Sequence, residues 1–249
     1  MRTLFRYFIF ILLVTLPCVI QAKQLLTIGV GNFPPFFIKQ NESGLFLDIT
    51  KAIFHNLPEY QIRFVFMSND RLLHEINSGK RIDVACNIIK NSAVKAHLST
   101  PVFRYSDVAI SKKSKNLILN STSDLNGLSI AAYQGASDLL GEEFKKMALS
   151  NPSYAEHPHP KETTHLLLSD LKDVRIGDIH IFYHDLKHPF YKDSEHTDID
   201  NYNIHYLWPN VYSHMAFKDK TLRDAVNDEI QKLTQNGTLA NIYQRYEIK

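Results

Sequence analysis

The chain has 249 residues, 44% of them hydrophobic and 22% charged, with 28 Lys and Arg against 26 Asp and Glu. That balance belongs to a folded globular protein and excludes a disordered, collagen-like or disulfide-framed chain. The near-neutral charge, without any concentrated basic run, gives no footing for nucleic acid or an anionic membrane surface.

The first 22 residues stand apart from the rest. Arg2 and Arg6 form a positive start, residues 7–16 (YFIFILLVTL) an apolar stretch, and Ile20-Gln21-Ala22 a cleavage site, the pattern of an export signal. The apolar stretch is too short for a membrane anchor. Removing its two arginines from the 28 basic residues leaves 26 against 26 acids. Cys18 leaves with the signal; it follows Thr15-Leu16-Pro17, a poor match to a lipid-attachment site. Cys86 is then alone and forms no internal disulfide, so the core must hold the fold.

Leu25, Leu26, Ile28 and Val30 make a buried strand that Gly31 closes. Asn32-Phe33-Pro34-Pro35-Phe36-Phe37 then carries the chain out of the sheet, because proline cannot donate to a ladder. Three phenylalanines are thereby set at the carboxyl end of a strand, where open α/β sheets bind ligands. Leu45, Ile49, Ala52 and Ile53 recur at helical spacing, and residues 61–67 alternate as a second strand. Ser68 caps a helix that Gly79 stops, and residues 82–89 (IDVACNII) read as a third strand. Strand, helix, strand, helix, strand is the rhythm of a parallel sheet. A short polar helix over 91–97 and a strand over 107–111 follow.

After the Lys112-Lys113-Ser114-Lys115 run the pattern restarts: a strand over 128–133, a helix opened by Gln134-Gly135-Ala136-Ser137 and running to Met147, and a helix over 161–171. Next come a strand over 178–183 (DIHIFY), a polar loop with a short helix over 184–203, and a strand over 211–218. Leu222, Ala225, Val226, Ile230 and Leu233 stripe the next helix, Asn236-Gly237 ends it, and a last helix carries Leu239, Ile242, Tyr243 and Tyr246.

Six stretches, in this order, carry a resemblance: LLTIGV followed by NFPPF; Gly44 with Asp48; INSGKRIDVA; STPVF; DLNGLSIAAYQGAS; and TLRDAVNDEIQKLTQNGTLANIYQRY. Together they resemble the type II periplasmic solute-binding proteins of polar amino-acid ABC transporters, over essentially the whole chain after residue 22. The resemblance implies an α/β fold of two lobes joined by two hinge crossings, with ligand between them and closure by a hinge. Lobe 1 is expected over 23–111 and 212–249, and lobe 2 over 112–211. It also implies a monomer in the periplasm that captures a small polar, carboxylate-bearing solute for an inner-membrane permease, with no catalysis and no cofactor.

The resemblance assigns Phe33 to stacking on the ligand, while Phe36 is the better core member. It matches Asn87 to a position that hydrogen-bonds ligand. Where the family carries a carboxylate-clamping arginine, this chain has Ser92-Ala93-Val94-Lys95; Lys95 is either a substituted anion contact or a solvated surface lysine. Gln134, Ala136 and Ser137 match a helix start whose free amides take a carboxylate, or serve as a plain cap, or both. The family's ammonium-binding aspartate ends a strand, and counting puts Tyr183 there, with Asp185 two residues on. Of twelve histidines, His157-Pro158-His159 is the nearest to a metal pair, but Pro160 breaks it, so no metal site is expected. Two rivals stay open: an enzyme on the same scaffold, which would recruit Asp48, Lys95, Tyr183 and Asp185 as acid and base, and a sensor whose closed form touches a membrane receptor.

Overall fold

A computed structural model describes residues 23–90, 93–187 and 198–247. The export segment over 1–22, Asn91 and Ser92, and half of the loop expected over 184–203 lie outside them.

The first sheet is built on β1 (Gln24–Val30), whose residues from Leu26 onward are buried. It runs parallel to β2 (Tyr60–Phe66) on one side and β3 (Val84–Ile88) on the other. The antiparallel β11 (Val211–Phe217) pairs with β3 and with the short strands β4 (His97–Leu98) and β5 (Phe103–Tyr105). Side chains alternate from Val84 to Cys86 as the pleat requires, and the left-handed Asn87 then breaks the alternation and turns Ile88 to the face of Ala85. Val84 and Cys86 face α1 (Leu45–His55), α7 (Lys220–Gln235) and α8 (Thr238–Tyr246), while Ala85 and Ile88 face α2 (Asn69–Asn77). Gly44 opens α1 at φ +124°, and a Cβ there would sit 2.5 Å from the Phe36 carbonyl oxygen, so the Phe/Pro loop packs directly on the helix start.

The second sheet has the order β10 (Tyr202–His205), β6 (Asp107–Lys112), β9 (Val174–Asp178), β7 (Ile130–Tyr133), β8 (Tyr154–His157). One face is covered by α3 (Ala136–Leu139) and α4 (Glu142–Ser150), the other by α5 (Pro160–Leu168) and α6 (Ile179–Leu186). Two mixed α/β layers are thus joined by residues 105–106 and 206–210.

Four expectations change. The strand from Asp107, placed with the first lobe, pairs with β9 and β10 in the second sheet; the lysines after it form a 3-10 turn (Lys113–Lys115) within that lobe. No helix occupies 93–96; the chain is irregular there and leads into β4, paired with Ala216 and Phe217. The helix expected from Gln134 to Met147 is broken at Gly141, φ +97°. The expected strand over 178–183 is the start of α6, because Asp178 caps a helix there: its carboxylate accepts from the His180 and Ile181 amides.

Candidate functional site

The two sheets present their ends to each other. In the first, β3 ends at Ile88 opposite His214 and β5 ends at Tyr105 opposite Val211; β1, parallel to β3, delivers Gly31–Phe33 to the same edge. In the second, Asp107 begins β6 opposite Asp178 at the end of β9, and β7, parallel to β9, delivers Tyr133 and Gln134 there. The crossings are tied at this level. Ser106 N donates to Asp178 Oδ2 (2.7 Å), and Ser106 Oγ donates to Asn210 Oδ1 on the other crossing (2.6 Å).

On lobe 1 the Phe/Pro loop separates its aromatics as their surroundings demand. Phe36 is fully buried, its ring 4.4 Å from Phe46 and 4.9 Å from Tyr105. Phe33 stays half-buried, edge-on to Phe37, and lines a surface hollow of about 410 Å³ with Lys39, Phe66, Met67, Ser68 and Asn69. Asn87 adopts φ +65°, the left-handed region that asparagine tolerates. Its Oδ1 accepts from Tyr105 Oη (2.7 Å) and Ser213 Oγ (2.9 Å), so it clamps β3 to both hinge strands. Lys95 is not brought to this edge. Its backbone amide donates to Asn77 Oδ1, at the last residue of α2, two residues before His97 pairs with Phe217 at the opposite end of the sheet. As an anion contact it is misplaced, and its side chain is exposed.

On lobe 2 the amides expected to take a ligand carboxylate already hold one. Gly135 N donates to Glu156 Oε2 (2.7 Å), and Ser137 N donates to Glu156 Oε1 (2.9 Å), which also accepts from Tyr154 Oη (2.7 Å). These donors, with the Ser137 hydroxyl, outweigh desolvation and hold the Glu156 carboxyl down at about 2. Gln134 is exposed beside this arrangement, and Ala136 is buried beneath it. Tyr183 does not end a strand. It lies on α6 and lines a hinge-side cavity of about 290 Å³ with Arg104, His180, Tyr206 and Glu247.

The residue that ends the strand is Asp178. Its Oδ1 accepts from His180 N (2.7 Å) and Ile181 N (3.4 Å) and lies 3.2 Å from His180 Nδ1. Beside it, Asp107 Oδ2 accepts from Tyr133 Oη (3.1 Å), and burial plus the Asp178 charge push the Asp107 carboxyl up to about 6. Beneath both, Arg175 is buried with Nε donating to Thr164 Oγ1 (3.1 Å). Sequence reasoning missed Glu156, Asp107, Asp178 and Arg175. A charge inside VRIGD hid the strand whose end would have located Asp178. Among the described residues, no three His, Cys, Asp or Glu side chains come together to hold a metal ion.

The family model for bacterial extracellular solute-binding proteins, family 3, matches residues 26–248. The L-cystine-binding protein TcyJ of Bacillus subtilis (strain 168) is 24% identical over 238 residues, covering 91% of this chain and 85% of that one. Among solved structures, an ancestral cationic amino acid solute-binding protein superposes with a TM-score of 0.69 at 19% identity, over 89% of this chain and 95% of that one. An amino acid ABC transporter substrate-binding protein from Streptococcus pneumoniae, bound to L-arginine, does so with 0.61 at 22% identity, over 89% and 94%. With a two-lobed α/β architecture and a family match across nearly all of its length, the chain belongs to the bacterial extracellular solute-binding proteins of family 3.

Proposed function

We propose that this solute-binding protein works as a monomer in the periplasm, after loss of residues 1–22. There it captures an amino acid or a derivative of one between its lobes and hands it to an inner-membrane ABC permease. One observation carries the reading: half-buried Phe33, at the hinge-side edge of the first sheet, and Asp107 and Glu156, at the hinge-side ends of their strands in the second, stand on the two lobe edges that the crossings join. An aromatic face opposite carboxylates suits an ammonium-bearing solute, which closure would remove from water. The relatives named for L-cystine, cationic amino acids and L-arginine set the class to screen first.

Binding without catalysis fits the state of the titratable groups. Asp178 is occupied by three amides and an imidazole, Glu156 by two amides and a phenol, and neither is left as a free acid or base. The test is a thermal-shift screen of ligand-stripped protein with amino acids, amines and short peptides, repeated with Phe33→Ala. A ligand at 100 times its dissociation constant should stabilise the fold by about 2.7 kcal/mol, and Phe33→Ala should remove most of that gain. Recovery of the ligand unchanged after overnight incubation checks the absence of chemistry. A chemically altered ligand would move the reading to an enzyme.

A further inference from the structure

Glu156 puts a carboxylate of the protein itself on the Gly135 and Ser137 amides, the stretch that the resemblance assigns to a solute's carboxylate. It stands on the edge strand β8, opposite Ala132, and its side chain spans to Gly135 and Ser137 beyond the end of β7. Both oxygens are engaged, and the bonds of 2.7 to 2.9 Å are those of an ionised acceptor. The second group that could have clamped a ligand carboxylate, Lys95, lies at the far end of the first sheet. A carboxylate brought to lobe 2 would therefore find its donors taken and a fixed negative charge in their place. At a separation of a few ångströms in a site that excludes water, such like-charge contact is strongly unfavourable. A hydrogen-bond donor meets the opposite situation, since Glu156 Oε2 carries one bond to Oε1's two and Asp107, at the hinge-side start of β6, is a further acceptor.

We infer that Glu156 is the specificity-determining residue of lobe 2. It excludes the α-carboxylate of an amino acid and selects a solute that presents an ammonium group to this edge, with no carboxylate on the carbon beside it. Organic amines and amino-acid derivatives without a free α-carboxyl fit this description. A remote acid on the solute, where there is one, is left to lobe 1, where Lys39 is exposed at the rim of the Phe33 hollow. The inference rests on the solute-capture reading given under Proposed function.

The experiment compares pairs of probes that differ only in the α-carboxylate: L-arginine with agmatine, L-lysine with cadaverine, L-histidine with histamine. Each is titrated calorimetrically into the mature protein purified from the periplasm of an expressing bacterium and stripped of ligand. Wild type should bind the amine of at least one pair ten-fold or more tightly than its amino acid. Glu156→Ala, which frees both amides, should erase or reverse that ratio by gaining amino-acid affinity. Glu156→Gln keeps an acceptor on the amides without the charge, so it is expected to fold like wild type and to narrow the ratio in the same direction; it carries the test where the alanine variant is unfolded by circular dichroism. Wild type binding an amino acid as tightly as its amine overturns the inference but keeps the solute-capture reading. An unchanged ratio in both variants does the same. No heat from any probe with wild type or variants overturns the solute-capture reading and this inference with it.

Discussion

Arg175→Met removes a buried positive charge from lobe 2. Arg175 is 1% exposed, and its guanidinium carbon lies 5.4 Å from the centre of the Phe182 ring. Nε donates to Thr164 Oγ1 at 3.1 Å, and that hydroxyl donates onward to Asp185 Oδ2 at 2.6 Å. Asp185 is itself 7% exposed. Methionine keeps an unbranched apolar stem but loses the guanidinium over Phe182, and leaves the Asp185 carboxylate buried without its counter-charge. Removing one partner of a buried ionic arrangement costs about 3–5 kcal/mol. In a chain of this size each kcal/mol lowers Tm by roughly 2–4 °C, so a fall of roughly 6–20 °C is expected. Urea unfolding at pH 7 measures it, with a lower midpoint at unchanged slope marking loss in the native state. Adding Asp185→Leu removes the stranded charge, and the double variant should recover part of the loss. A single-variant cost below about 1 kcal/mol, or strictly additive effects in the cycle, would refute the network.

Three further outcomes follow from the lobe-facing edges. Asp107 is held above its ordinary 3.8, at about 6, so its contribution to stability is present below 3.8 and lost as pH rises through 6. Asp107→Asn should therefore raise Tm at pH 8 and match wild type near pH 4; a gap independent of pH would count against the buried-acid reading. Glu156, lowered from 4.5 to about 2, stabilises above 4.5 and loses that contribution as pH falls toward 2. Wild type should accordingly lose more stability than Glu156→Gln between pH 6 and pH 3 in urea melts. Phe36→Ala should cost about 3–5 kcal/mol of stability, whereas Phe33→Ala, at a half-buried ring, should cost less than half as much and act on ligand affinity instead. Equal stability losses for the two would mean that Phe33 is a core residue.

Much of the fold was legible because the apolar runs were long and unbroken. β1, β3, α1, α7 and α8 lie within a few residues of where spacing puts them, since each buries a continuous stripe. Reading failed where a tertiary contact overrode the local pattern. β9 carries Arg175 inside a fully buried strand, a residue that argues against burial until Thr164, Phe182 and Asp185 are seen around it. DIHIFY alternates like a strand, yet Asp178 caps a helix, and that shift moved the strand end from Asp178 to Tyr183. β4 is two residues long and exists only because β11 offers a partner. The site suffered most, because Glu156 lies about twenty residues from the amides it fills, and no spacing rule connects them.

Asn87, expected to contact ligand, and Asp178, which the sequence did not point to, both serve the hinge. Asn87 Oδ1 accepts from Tyr105 and Ser213, one on each hinge strand, and Asp178 binds the Ser106 amide at the first crossing. A buried acceptor already in use must give up a donor before it can serve a solute, and a group left unpaired there costs about 1–3 kcal/mol. On the proposed reading, solute recognition would fall on the Phe33 face and Met67 on one lobe, and on Asp107 and Tyr133 beside Glu156 on the other. Asp107 immediately follows Ser106, the residue that ties both crossings. A cation that neutralises Asp107 acts one residue from the hinge, so it relieves the Asp107–Asp178 repulsion at the point about which the lobes must turn. On the proposed reading, closure and charge recognition would be coupled through adjacent residues, Ser106 at the crossing and Asp107 at the start of β6, with no relay across the lobe.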